Sequence, residues 1–112
     1  MSDGWHILEE AGGVTLCRHI PPRFDVSGVT DLPHGRPKRL AHQIRQDLWR
    51  ALKDLRGFSP VVRLEPTATG WAVTAGGRVM GRIRPQVETR IDAVLNDGTK
   101  RARWVRYAGT SQ

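Results

Sequence analysis

Pro37-Lys-Arg-Leu-Ala-His-Gln-Ile-Arg-Gln-Asp-Leu-Trp-Arg-Ala-Leu-Lys-Asp-Leu-Arg56 is the stretch that decides the fold. Leu40, Ile44, Leu48, Ala51, Leu52 and Leu55 recur at intervals of three and four, the spacing that lines one side of an α-helix. Pro37 suits a first helical turn, where its missing N–H would have had no partner, and Gly57 suits the stop. The spacing therefore predicts a helix over 37–56 with an apolar stripe roughly 120° wide, at about 100° per residue. Such a stripe needs a second layer to cover it, and the flanking segments must supply one.

Upstream, Trp5-His-Ile-Leu-Glu-Glu-Ala-Gly-Gly-Val-Thr-Leu-Cys-Arg18 reads as a β-hairpin, with Gly12-Gly13 as its turn. Pairing Glu9 with Val14 sets Ile7 opposite Leu16, His6 opposite Cys17 and Trp5 opposite Arg18. That register gathers Trp5, Ile7, Val14 and Leu16 on one face, so it should beat its one-residue slips. Residues 19–37 hold Pro21, Pro22, Pro33 and Pro37 among turn formers, and read as a Pro/Gly-rich connector, functional or partly mobile, in which Phe24, Val26 and Val29 add a short strand or pin the segment to the core.

Downstream, Val61–Glu65 and Trp71–Ala75 read as strands, and Arg78–Ile83 as a third after a Gly76-Gly77 turn. Pro85 opens a second helix, in which Val87, Ile91, Val94 and Leu95 share a face and Asn96-Asp97-Gly98 makes the stop. Thr99 is placed to cap a last helix over Lys100–Tyr107, before a frayed tail at 109–112. The expected order is β-β-α-β-β-β-α-α. It describes an α+β domain over 1–112: an N-terminal hairpin, one long amphipathic helix, a three-stranded antiparallel meander and one or two C-terminal helices.

The helix–strand–strand–strand–helix order over 37–95 is similar to that of the double-stranded RNA-binding domain. The likeness is one of element order. Where that family carries a lysine cluster, this chain has Arg84-Pro85-Gln86-Val87-Glu88. Fold order alone implies no function.

With 112 residues, a core can form without disulfide or metal. No run reaches the ~18 apolar residues of a membrane span, so no membrane partner is expected. Met1-Ser-Asp-Gly-Trp-His carries an acid and no basic n-region, which reads as no secretory leader. A single cysteine, Cys17, fits a reducing, bacterial-type cytoplasm; of the 18 basic residues 15 are Arg and 3 Lys, a bias that a GC-rich genome also produces without functional demand.

The formal charge of +7 is unevenly spread. Residues 1–33 are net acidic, and 58–77 balance Arg63 against Glu65. Segment 34–57 sets seven Lys/Arg against Asp47 and Asp54, and 78–112 sets eight against three acids. An acidic front with two basic blocks outlines a polyanion binder.

Catalytic chemistry has little to build on. His6, His19, His34 and His42 fall at no metal-ligand spacing, so no metal is expected. His6 opposite Cys17 resembles a nucleophile pair on paper, but a half-buried structural cysteine is the simpler account. Gly12-Gly13 and Gly76-Gly77 lack the helix and lysine of a phosphate loop, so no nucleotide cofactor is expected. The reading is non-enzymatic.

Binding has more. Opposite the apolar stripe, the 37–56 helix collects Lys38, Arg39, His42, Arg45, Gln46, Arg50, Lys53 and Arg56, with Trp49 near the middle. Only Arg50–Asp54 can pair at i,i+4, so most of that charge is unneutralised along the helix. The second block interleaves Lys100, Arg101, Arg103 and Arg106 with Trp104 and Tyr107. Arginines on phosphates with Trp49 or Trp104 stacked on bases make a nucleic-acid site. The same Arg/Trp surface also suits an adaptor that binds an acidic protein or dimerises, or tryptophans that merely dock on the core.

Overall fold

The computed structural model describes residues 4–109. Within them, five strands and three helices follow in the order β1 (His6–Glu10), β2 (Gly13–Cys17), β3 (Val26–Pro33), α1 (Pro37–Leu52), β4 (Ser59–Thr67), β5 (Gly70–Arg78), α2 (Gln86–Leu95) and α3 (Gly98–Ala108). The strands form one antiparallel sheet ordered β1-β2-β4-β5-β3. The class is α+β, as the patterning predicts.

The first hairpin pairs as expected, with Ile7 opposite Leu16 and Glu9 opposite Val14. Its turn, however, uses Ala11 and Gly12, both at positive φ, while Gly13 already belongs to β2. A Cβ on Gly13 would stand 2.4 Å from the Leu64 carbonyl oxygen, so the second glycine serves close strand approach. Strand alternation then lines Ile7, Leu16, Val62 and Ala75 in one row facing the helices. Val14, Leu64 and Val73 make the next row. The α1 stripe of Leu40, Ile44, Leu48 and Leu52 is buried with these rows in one cluster, which Ile91 and Leu95 of α2 and Trp104 of α3 complete.

The 19–37 segment is irregular over 19–25 and 34–36, but its middle is a strand. Val26–Pro33 pairs with β5 along its whole length and forms the sheet edge, with Val26, Gly28 and Leu32 turned into the core. Pro33 closes the strand, where a missing N–H is tolerated. Side chains from the helices occupy the outer edge. Ser27 N–H donates to Glu88 at 2.9 Å, and Arg101 donates to the Asp31 carbonyl at 2.6 Å. An edge occupied in this way is a poor template for another chain.

Gly76-Gly77 is not a turn. β5 runs straight through both residues, because the neighbouring strands leave no room for a side chain there. A Cβ on Gly76 would meet the Val26 oxygen at 2.0 Å, and one on Gly77 the Ser59 oxygen at 2.1 Å. The expected 78–83 strand therefore does not form, and 79–84 carries no regular structure. The observed order is β-β-β-α-β-β-α-α, so the similarity to double-stranded RNA-binding domains loses its third strand.

α1 also ends at Leu52, four residues before its expected stop. Leu55 and Phe58 N–H groups close successive tight turns onto Leu52 and Leu55, and Gly57 takes φ +68°. Arg90 of α2 donates to the Ala51 carbonyl, satisfying a helix-end acceptor that a further turn would have used. At α3 the cap is Asp97, not Thr99: its Oδ1 accepts the Lys100 N–H at 2.9 Å. Of the expected frayed tail, 110–112 lie outside the described residues.

Candidate nucleic-acid interface

α1 lies across the sheet and turns its polar side outward. Arg39 on it and Lys53 at its C-cap are exposed, with no ion pair among the described residues. Arg56, just beyond the helix, is exposed in the same condition. Lys38 stands 3.5 Å from Glu9, an exposed pair that solvent screens easily, and exposed Arg50 stands 3.6 Å from the buried Asp47 carboxylate. Half-buried Arg45 donates toward His42 Nδ1 at 3.4 Å. Burial holds the His42 imidazole below its ordinary pKa, and the Arg45 charge adds to that.

The second basic block does not extend this face as its sequence suggests. Trp104 is fully buried, so it cannot stack on a ligand. Its Nε1 donates to Asp47 at 2.7 Å, and Arg103 pairs with the same carboxylate. A buried indole N–H needs an acceptor, and Asp47 supplies it. Arg101 is tied to Thr30 Oγ1, the Leu95 carbonyl and the Asp31 carbonyl at 2.6–2.8 Å. Lys100 folds back on Asp97 at 3.4 Å. Of this block, Arg106 remains exposed, 5.7 Å from the centroid of exposed Tyr107. The block locks α3 to α1 and β3.

The aromatic centre of the site lies elsewhere. Trp49 is 45% exposed although it is the largest side chain on the α1 surface, and one side of it is backed by nearly parallel Phe58, with ring centroids 6.4 Å apart. Next to it, Trp5 carries two guanidinium groups over its ring, Arg45 at 4.9 Å and Arg18 at 5.3 Å. Cation–π geometry of this kind holds charge against an apolar surface. Between these groups opens a groove of about 640 Å³, floored by Phe58 and rimmed by exposed Met80. That volume lies within the ~300–1,000 Å³ range of small-ligand sites.

The residues that join Trp49 and Arg45 here carry no basic-face signal in the sequence. Trp5 and Arg18 are legible as a cross-strand pair, but nothing local says the hairpin leans on α1. Phe58 and Met80 come from segments brought together when the Arg56 carbonyl accepts the Met80 N–H at 3.0 Å.

Catalytic features are sparse by comparison. Cys17 is buried and its thiol is pushed up by that burial, away from the reactive thiolate. Among the described residues no cluster of three or more His, Cys, Asp or Glu is placed to hold a metal ion. Nor is any helix among them long and apolar enough to cross a membrane. No protein-family model matches the chain, and neither a curated protein nor a solved structure does.

Proposed function

We propose that the chain binds nucleic acid without catalysis, through the outward face of α1 and the groove at its C-terminal end. Arg39, Arg45, Arg50 and Lys53 contact phosphates, and Trp49 stacks on a base. The observation that carries this reading is Trp49 itself. It is a large aromatic left near half exposed in water, on a helix face that also presents Arg39 and Lys53 to solvent. A lone exposed ring would mean little, but Trp49 shares one groove with exposed Met80, and contiguous apolar surface rimmed by charge marks an interaction site. The second basic block, led by Arg101 and Arg103, contributes indirectly by fixing the helix layer. One buried cysteine and no disulfide support a cytoplasmic setting.

The test is a salt titration of wild type, Arg39→Ala and Lys53→Ala on a mixed oligonucleotide pool, with folding followed by circular dichroism. Each substitution removes about one phosphate contact, so each flattens the log–log salt slope by about one unit for all sequences alike. A folded protein that binds no oligonucleotide at ~50 mM salt rejects the reading. Concentration-dependent dimerisation in sedimentation, abolished by Trp49→Ala, would replace it with the adaptor function.

A further inference from the structure

We infer that the groove beside α1 accepts an unpaired base, which makes the ligand single-stranded nucleic acid; this deepens the proposed function and rests on it. The groove combines two different surfaces. Trp49, Phe58 and Met80 give a flat, polarisable, apolar wall, and the guanidinium groups on Trp5 bring positive charge to the same opening. A phosphate alone needs only the charge, and an aliphatic peptide needs only the wall. A nucleotide presents both, a π-face and an anion joined through a single sugar, so it fits this pairing best.

Duplex does not fit it. Paired bases show only their edges in a groove, and their faces are covered by stacked neighbours. Reaching the Trp49 ring would require extrusion of a base, at an unstacking cost of a few kcal/mol. A single strand offers free base faces without that step. Its phosphates then follow Lys53 and Arg50 along α1 while one base leaves the strand for the groove. Trp71 and Trp104, the remaining tryptophans, are buried and cannot offer a second platform. The groove takes one stacked base, with little sequence preference, because every base has a π-face.

The test compares a deoxythymidine oligomer of about a dozen units with an abasic oligomer carrying the same phosphates. Both are titrated by fluorescence anisotropy at ~0.1 M salt. The deoxythymidine oligomer should bind about tenfold tighter than the abasic one. Trp49→Ala should remove that difference while leaving abasic binding unchanged, and Trp49→Phe should keep most of it. Circular dichroism checks that each variant is folded. Equal wild-type affinity for the two oligomers overturns the base site and leaves the phosphate reading standing. An equally tight fully paired duplex overturns the single-strand preference. Failure of all three oligomers to bind overturns both this inference and the proposed function.

Discussion

Asp47 and Leu48 are neighbours on α1 and both are buried, at 3% and 0% exposure. The burial of Leu48 follows from spacing, since it sits at the centre of the apolar stripe; Leu48→Ala should cost about 2–5 kcal/mol by opening a cavity. Asp47 gives no such signal. On the helix wheel it belongs to a polar margin, and its burial comes from Trp104 and Arg103, more than fifty residues away in the chain. The legible half of that contact is Trp104, a large ring needing an acceptor in a helix rich in cations. Asp47→Ala leaves an indole N–H and a partly buried guanidinium without their acceptor, and should destabilise by roughly 2–4 kcal/mol in urea unfolding. Asp47→Asn keeps an acceptor oxygen and should lose less. Asp25 governs a pH effect. Hydrogen bonds from Arg23 and from the Val79 N–H hold its carboxyl below the ordinary carboxylate value. A lowered native pKa means the unfolded chain binds the proton more readily. The stabilisation is therefore complete above about pH 4 and is lost as pH falls through the lowered native value. Urea midpoints of wild type and Asp25→Asn should converge on acidification; parallel pH profiles would show that Asp25 contributes no such dependence.

At the scale of elements, periodicity locates the helices and the first hairpin because each has its own repeating pattern. It fails where a residue's role is set by a distant strand. Gly76-Gly77 has the form of a turn, and only the approach of Val26 and Ser59 from either side shows why glycine is needed within β5. β3 is hidden for a related reason. Its prolines and glycines signal a loop, yet Gly28 is the position over which α2 packs, where a Cβ would lie 3.0 Å from Ile91 Cγ2. Glycines in this chain therefore divide by what surrounds them. Gly76→Ala pushes a methyl into backbone and should cost at least roughly 2 kcal/mol, since no flexible side chain can yield. Gly98 opens α3, and nothing lies within 4 Å of the point a Cβ would occupy there. Gly98→Ala should stabilise by about 0.4–1 kcal/mol, by restricting the unfolded chain. Thermal unfolding of the two variants should give midpoint shifts of opposite sign. A neutral Gly76→Ala would mean that the sheet relaxes far more easily than its strand spacing implies.

For the whole molecule, the uneven charge along the chain becomes a difference between two sides. α1 carries its cations on the helix side with little acid beside them, whereas on the helix-free face of the sheet Glu10, Glu65 and Asp31, in the row set by Gly13 and Ala72, offset Arg63 and Arg78. The net charge is legible from composition, but this segregation requires the strand register. It separates two explanations of polyanion binding that +7 alone cannot. If net charge governs, Glu65→Lys should strengthen binding about as much as Lys53→Glu weakens it, since each changes the total by the same amount with opposite sign. If the α1 face governs, the two must differ. The molecule is 24 Å across its thinnest dimension, about three Debye lengths at physiological salt, so a charge on the far face is screened from a ligand on α1. At ~0.15 M salt, Lys53→Glu should weaken oligonucleotide binding by roughly tenfold, through a lost phosphate contact and a new repulsion, while Glu65→Lys changes it less than about twofold. At ~0.01 M salt the Debye length grows to about 30 Å, spanning the molecule, and Glu65→Lys should then strengthen binding measurably. Equal and opposite effects of the two reversals at ~0.15 M salt would remove the α1 face from the account and leave only diffuse attraction.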